Sequence, residues 1–213
     1  MMREEYKDHI DTYSVEGSWW LSKLTPKSKW GNISLAEIYL RKYWLSENEY
    51  NSKWKELHER IFMNLDVSLP DMVFKKGYEL IPLRGGCLFS EKDFEQLKKS
   101  LLEIGEKYLV VIENTFRGNL KEPAFRMKYP VTISWKEIIN GNFISSTIIE
   151  NPNKEFFIFG ETGVWGKYSA SDYVWPLDII GFKPECRTIF TNHFKQSNEE
   201  EKQINEWLPV QYQ

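Results

Sequence analysis

The chain of 213 residues has few of the residues that catalysis or metal binding usually needs. Its two cysteines, Cys87 and Cys186, are far apart and match no metal-binding spacing. The three histidines, His9, His58 and His193, are scattered and form neither an HxH nor an HExxH motif. Each is predicted to be a surface histidine or a hydrogen-bonded structural one, and we expect no metal and no cofactor.

Long apolar runs and basic runs are also missing. No run of about 18 apolar residues exists, and the acidic first residues lack the apolar core of a secretory signal. We therefore expect a cytoplasmic protein with reduced thiols and no membrane partner. The net charge is −3, and basic residues occur only in isolated pairs such as Lys75-Lys76 and Lys98-Lys99. Because phosphate neutralisation supplies most non-specific affinity for nucleic acid, we expect no nucleic-acid partner.

The glycines do not form a phosphate-binding loop. Gly160, Gly163 and Gly166 recur at a spacing of three. They lie between two predicted strands, so no helix N-terminus is on hand for a phosphate group. A turn that uses the conformational freedom of glycine is the preferred interpretation.

One cysteine is a candidate nucleophile. Arg84-Gly-Gly-Cys87 precedes a predicted helix, so Arg84 and the helix amides would favour a thiolate, with His193 as a possible base. In the competing interpretation, Cys87 is a small buried apolar residue beside Leu88 and Phe89. A small hydrolase or transferase that uses Cys87 is therefore the alternative function.

Aromatic residues are abundant: 13 Phe, 11 Tyr and 9 Trp. Aromatic side chains bury large areas and dominate the energetics of cores and interfaces. Nine tryptophans are more than one core usually needs, which predicts that some rings lie on a recognition surface. A heavily aromatic core is the other interpretation.

Apolar periodicity and capping residues predict helices at both ends of the chain and strands between them. Residues 113–130 are predicted as a loop, and Val131-Thr-Ile133 as the edge of a strand. We expect an α+β fold, with a largely antiparallel sheet on which N-terminal helices and a C-terminal helix pack. The chain is predicted to be a single domain, 1–213, with a possible helical subdomain at 1–66. The remaining predicted elements are one broken or two separate helices at 34–64 with the break near 46–51, a helix at 90–104, a strand at 108–112, a short helix after Ser134, a β meander at 143–193 and a helix from Ser197 to Pro209.

The segment 155–185 is the most distinctive part of the chain. A strand of Phe and Ile leads into two predicted loops that carry four large rings among charged residues. Rigid rings bordered by charges are typical of interface hot spots. In the competing interpretation, Trp165 and Tyr168 pack beneath the sheet. The predicted partner-binding residues are Glu161, Trp165, Lys167, Tyr168, Asp172, Tyr173 and Trp175.

Phe156-Phe-Ile-Phe-Gly160, followed by Trp165 and Tyr168, resembles the late aromatic strand of SMI1/KNR4-like and other bacterial immunity proteins. The helix–strand unit from Phe94 to Glu113 adds to this resemblance. It implies that the chain binds and blocks a toxin made by the same cell. The helical first third, residues 1–66, does not follow the pattern of that superfamily.

The functional hypothesis is a non-enzymatic protein-binding domain, and the resemblance implies an immunity protein that neutralises a cognate bacterial toxin. An inhibitor needs a preorganised surface and no catalytic groups. The acidic balance suits a basic partner, because complementary charge accelerates association and adds specificity. The alternatives are the Cys87 enzyme and a scaffold or subunit protein whose aromatic surface serves self-association.

Overall fold

One antiparallel sheet organises the molecule. A computed structural model describes residues 38–39, 41–64, 67–85, 88–114, 126–139, 155–170 and 177–212. Its six strands have the order β1-β6-β5-β4-β2-β3, and every neighbouring pair is antiparallel. The strands are β1 (Glu79–Arg84), β2 (Tyr108–Glu113), β3 (Arg126–Pro130), β4 (Glu155–Gly160), β5 (Trp165–Ala170) and β6 (Leu177–Phe182).

The helices lie before, between and after the strands, so the fold class is α+β as predicted. Residues 38–39 and 41–43 are helical, and after them a π-helical turn, Tyr50–Trp54, lies between two α-helical parts. Short 3-10 turns at Pro184–Cys186 and Val210–Tyr212 flank the last two helices. The α-helices are α1 (Glu47–Glu49), α2 (Lys55–Ile61), α3 (Glu91–Ile104), α4 (Trp135–Ile139), α5 (Arg187–His193) and α6 (Asn198–Trp207).

Serine side chains cap the starts of α1 and α3, and the start of α3 at Ser90 is one that the sequence predicts. Ser46 accepts the Glu49 N–H at the start of α1, which lies in the predicted break. Ser90 caps α3 by accepting the Asp93 N–H, and Gly105 ends it in the left-handed conformation with φ +85°. Each side-chain cap satisfies a backbone N–H that has no partner within its helix.

Three sequence predictions for the sheet region are wrong. Residues 126–130, predicted as loop, form edge strand β3, whereas 131–133 form the turn after it. β3 alternates charged with apolar side chains, and Met127 and Tyr129 are buried. The Arg126 carbonyl accepts the Leu45 N–H, so the preceding chain also bonds to this strand. The β meander ends at Phe182, because residues 184–193 are helical. Residues 143–150 lie outside the described residues.

Both faces of the sheet are covered, which makes the core strongly aromatic. On one face, α3 and α5 contribute Phe94, Leu97 and Phe190. On the other, the π-helical turn and α2 contribute Trp54 and Ile61, and α6 adds residues near the C-terminus. All described side chains of β4, β5 and β6 are buried in consequence. None of the described helices is long and apolar enough to cross a membrane.

The three evenly spaced glycines have three different roles. Gly163 alone has a positive φ, +68°, in the turn between β4 and β5. A Cβ on Gly160 would lie 2.3 Å from the Glu106 carboxylate, and one on Gly166 would lie 2.7 Å from the Phe62 ring. Gly160 and Gly166 are therefore strand residues that allow close packing.

His58 is buried inside the helical layer and is not on the surface. Its Nδ1 lies 3.3 Å from the Tyr50 hydroxyl, and its ring packs against Phe157 and Phe159. Nε2 has no hydrogen-bond partner among the described residues. Burial lowers the pKa of His58 from 6.5 to about 3, because a charged imidazolium is poorly solvated there.

We expect His58 to make the fold sensitive to acid. The unfolded chain binds a proton at His58 near pH 6.5 and the folded chain only near pH 3. The free energy of unfolding is therefore highest above pH 6.5. It falls by about 1.4 kcal/mol per pH unit as the pH decreases from 6.5 to about 3. Urea unfolding of the wild type and of His58→Leu at pH 7.5, 6 and 5 measures this difference. Identical pH dependence of the two proteins would contradict it.

Candidate functional site

Three of the predicted partner-binding side chains point into the core. Trp165, Lys167 and Tyr168 are each at most 1% exposed, so their predicted exposure is wrong. They belong to β5, which pairs with β4 on one side and β6 on the other. Because helices cover both faces of the sheet, neither face of a central strand reaches the surface.

Trp165 helps to hold the turn between β4 and β5. Its indole N–H donates to Glu106 over 2.8 Å. The same carboxylate accepts the backbone N–H groups of Glu161 (2.9 Å) and Thr162 (3.2 Å). Glu161 itself is half-buried and forms an ion pair with Lys53. Glu161 and Trp165, both predicted to bind a partner, therefore have structural roles in the described part of the chain.

Lys167 forms a buried ion pair with Asp178 of the neighbouring strand. The Lys167 Nζ lies 3.0 Å from Asp178 Oδ2, and both side chains are at most 2% exposed. Nζ also donates to the Leu88 carbonyl over 2.7 Å. The Ser169 hydroxyl, beside this pair, has no hydrogen-bond partner among the described residues. Buried charges are rare unless paired, so this polar group on the sheet needs its internal partners.

Tyr168 belongs to a second buried polar group on the opposite face of the sheet. Its hydroxyl donates to Glu155, and the Asn114 amide contacts both side chains over 3.2 Å. Asn114 also donates to the Val67 carbonyl over 2.7 Å. Burial and the nearby Glu155 carboxylate raise the pKa of Tyr168 well above its usual range. The phenol is therefore a neutral hydrogen-bond donor and not a base.

The remaining predicted residues lie outside the described residues: Asp172, Tyr173 and Trp175, and the alternative nucleophile Cys87. The strand ends that lead to them are neighbours, since Arg84 pairs with Leu177. The His193 Nε2–H donates to Glu103 Oε1 over 2.6 Å on the surface. Cys186 is a free, buried thiol whose pKa is raised by burial.

A surface cleft of about 150 Å³ lies in the described part of the chain. We name it the α3–α6 cleft, because the first turns of α3 and α6 form two of its walls. The end of β1 and the connection between α5 and α6 form the others. Its floor consists of the buried apolar side chains of Leu83, Phe194 and Ile204.

Charged and amide side chains line the rim of the cleft. Arg84, Lys92 and Lys195 are basic and exposed. The acidic side chains are Asp93 and Glu200. The amides are those of Gln96, Gln196 and Gln203. An apolar floor under a few polar groups is the usual composition of a binding pocket.

The two acidic residues of the cleft already cap helices. Asp93 Oδ2 accepts the Ser90 hydroxyl over 2.6 Å. Glu200 Oε2 accepts the Ser197 N–H over 2.9 Å and the Ser197 hydroxyl over 3.0 Å. Hydrogen bonds from Ser197 lower the pKa of Glu200, and Lys92 adds to the shift. Both carboxylates therefore serve to fix the cleft walls.

Strand β1 lies beside the cleft, and its centre is protected from pairing with a further strand. β1 is an edge strand, and Pro82 in its middle has no N–H. The Pro82 carbonyl accepts the Gln196 side-chain amide. A proline and a covered carbonyl are common protections of a sheet edge. The cleft therefore suits a side chain better than an extended strand.

Sequence reasoning found parts of this cleft but not the cleft itself. Ser90…Asp93 and Ser197…Glu200 are readable as caps, and the structure confirms both helix starts. Nothing in the sequence says that two starts separated by about a hundred positions lie side by side. The sheet order, which places β1 at the edge, determines that arrangement.

No metal centre is found among the described residues, where no three or more His, Cys, Asp or Glu side chains converge. No family model, curated protein or solved structure matches this chain.

Proposed function

We propose that the chain is a non-enzymatic protein-binding domain, and that the α3–α6 cleft receives one anchoring side chain of its partner. The main support for this proposal is the small size of the cleft. Small-molecule sites usually measure roughly 300–1,000 Å³, whereas this cleft measures about 150 Å³. A small, well-formed pocket suits one anchor residue, and such anchors supply most of the energy of protein interfaces.

The walls of the cleft support this function because they are fixed before any partner arrives. Ser197 and Glu200 form a complete capping box at the start of α6. Ser90 and Asp93 fix the start of α3. Gln196 ties the α5–α6 connection to β1. A preorganised surface loses less conformational entropy on binding, so more of the contact energy becomes affinity.

The more specific proposal is that the partner is a bacterial toxin, which the chain neutralises. The resemblance of Phe156–Gly160, Trp165 and Tyr168 to immunity proteins supports it. Because Trp165 and Tyr168 lie in the core, the resemblance bears on the fold and identifies no binding residue. Asp172, Tyr173 and Trp175 remain predicted contacts.

Co-expression with the products of the adjacent genes tests the proposal. We expect one product to arrest growth alone, to be harmless with this chain, and to form a complex on size-exclusion chromatography. Failure of every adjacent product to bind would overturn the toxin proposal. A cleft variant then tests the binding site on the same complex.

We expect Gln203→Trp to weaken that complex at least about tenfold, which corresponds to about 1.4 kcal/mol. Gln203 lies on the exposed rim, so the indole would cover the cleft without disturbing the core. Lys202→Trp is the matched control, because Lys202 lies on another side of the same helix. Isothermal titration calorimetry measures both affinities. Equal weakening by the two variants would place the interface elsewhere.

A further inference from the structure

We propose that Lys167 is a positioning residue for the α3–α6 cleft, because its ammonium group holds the start of α3 in a fixed position relative to the end of β1. The inference rests on the proposed function, since α3 and β1 form two walls of the proposed binding site. Three observations carry it: the contacts of Lys167 with the chain before α3, the contact of Asp178 with the end of β1, and the burial of both charges.

Lys167 holds the chain just before α3 by two contacts. Its Nζ donates to the Leu88 carbonyl over 2.7 Å. The same Nζ lies 5.0 Å from the centre of the Phe89 ring, a distance at which a cation is attracted to an aromatic ring. Phe89 packs edge-to-face on Phe94 in the first turn of α3, with ring centres 5.4 Å apart. Ser90, which caps α3, follows directly, so the ammonium group fixes the start of the helix.

Asp178 joins this group to the end of β1. Its Oδ2 lies 3.0 Å from the Lys167 Nζ. Asp178 is opposite Leu83 in the pairing of β6 with β1, and Leu83 belongs to the floor of the cleft. The backbone of Gly85 lies so close to the Asp178 carboxylate that a Cβ would not fit there. The contacts therefore run without interruption from the β1 wall through the ion pair to the α3 wall.

The burial of the ion pair makes these contacts rigid. Both side chains are at most 2% exposed, so water does not replace either partner of the ammonium group. If the ammonium group left Asp178 and the Leu88 carbonyl, it would remain buried without a substitute for its lost hydration. A hydrogen bond in such a low-dielectric interior is also electrostatically stronger than one in water. The α3 wall thus rests on an internal support, whereas the α6 wall is fixed by its own capping box at Ser197.

Amide hydrogen exchange followed by NMR tests the inference without any partner. The two probes are backbone amides that make the first hydrogen bond of their helices. The Phe94 N–H donates to the Ser90 carbonyl over 2.9 Å at the start of α3. The Glu201 N–H donates to the Ser197 carbonyl over 3.0 Å at the start of α6. In Lys167→Met we expect the exchange rate of Phe94 to rise at least about tenfold relative to that of Glu201, because a hydrogen bond from a charged group is lost beside α3 alone.

Two further variants separate positioning from global stability. Trp165→Ala is the control for destabilisation, because Trp165 is buried in the same strand but donates to Glu106, beyond the other end of α3. It should leave the ratio of the two exchange rates unchanged. Lys167→Met/Asp178→Asn removes the buried carboxylate charge, so stability recovers in part. The Leu88 carbonyl still lacks its ammonium donor, so the ratio should stay about tenfold above that of the wild type.

An unchanged ratio in Lys167→Met would overturn the inference. So would a ratio that returns to the wild-type value in the double variant together with stability, because Lys167 would then act through global stability alone. The double variant decides the question by itself if Lys167→Met does not fold.

The affinity of the complex separates this inference from the proposed function. We expect the double variant to bind the partner several-fold more weakly than the wild type, because one wall of the cleft is no longer held. A raised exchange ratio without any complex would support the positioning role and overturn the proposed function alone. An unchanged ratio, with a complex that Gln203→Trp still weakens, would overturn only the positioning role of Lys167.

Discussion

Replacing Trp165 by alanine should destabilise the fold by about 3–5 kcal/mol, the usual cost of removing a fully buried Trp side chain. The indole is 0% exposed in the core and donates to Glu106. Truncation would leave a large cavity and remove one donor from a buried carboxylate. Urea unfolding followed by far-ultraviolet circular dichroism measures the loss. A loss below about 1 kcal/mol would show that the ring is not part of the core.

Two further variants test the placement of Trp165. Trp165→Phe keeps a six-membered aromatic ring but loses the indole N–H and the volume of the five-membered ring, so we expect a loss smaller than that of Trp165→Ala. Trp135→Ala is the control for tryptophan removal, because Trp135 is half-buried on α4 beside Phe94. It should destabilise less than Trp165→Ala. The reverse order would contradict the placement of Trp165.

The sequence shows that residues 155–170 are rich in aromatic side chains, but it does not show whether these side chains face the core or the solvent. Rings next to Glu161 and Lys167 look like an interface because charges in a strand usually face water. Here the charge on β5 is itself buried, since Asp178 pairs with Lys167. Whether a lysine finds an internal carboxylate depends on the pairing of β5 with β6, which places Lys167 opposite Ile180 and Ser169 opposite Asp178. Register of this kind is not visible in residue types alone.

Local signals were more dependable than long-range ones. The starts of α3 and α6, the end of α3 at Gly105 and strands β2 and β4 all follow from capping residues and β-branched or aromatic runs. Strand β3 was missed because Gly118, Pro123 and Pro130 favoured a loop, although Arg126–Tyr129 alternate charged with apolar side chains as a half-buried strand does. The cleft was missed because its walls meet only through the sheet order.

Lys167→Met should also cost about 3–5 kcal/mol, because it removes the ammonium that lies 3.0 Å from the buried Asp178 carboxylate. Asp178 has no route to water in the native fold, since its side chain is 1% exposed. The backbone at Gly85 lies directly against it, where a Cβ would approach Oδ2 to 2.4 Å. The site therefore has little room to rearrange after the ammonium is removed. Chemical denaturation of the variant measures the loss.

The double variant Lys167→Met/Asp178→Asn shows whether the loss comes from the buried charge of Asp178. Replacing both partners removes the buried carboxylate, so the double variant should be more stable than Lys167→Met alone. The four proteins of the cycle should give a coupling energy of at least about 1.5 kcal/mol. Strictly additive losses would show that the two side chains contribute independently and that the ion pair is not the reason for their burial.

The exposed pair Arg60–Glu56 on α2 is the matched control for this cycle. Its nitrogen and oxygen lie 3.0 Å apart, the same separation as in the buried pair, but both side chains are more than half exposed. Water screens such a pair, so its coupling should be at most about 0.5 kcal/mol and should fall with added salt. The coupling of Lys167 with Asp178 should resist salt, because no ions reach it. Equal coupling in the two cycles would mean that burial adds nothing, whereas a large difference locates the stabilisation in the interior of the sheet.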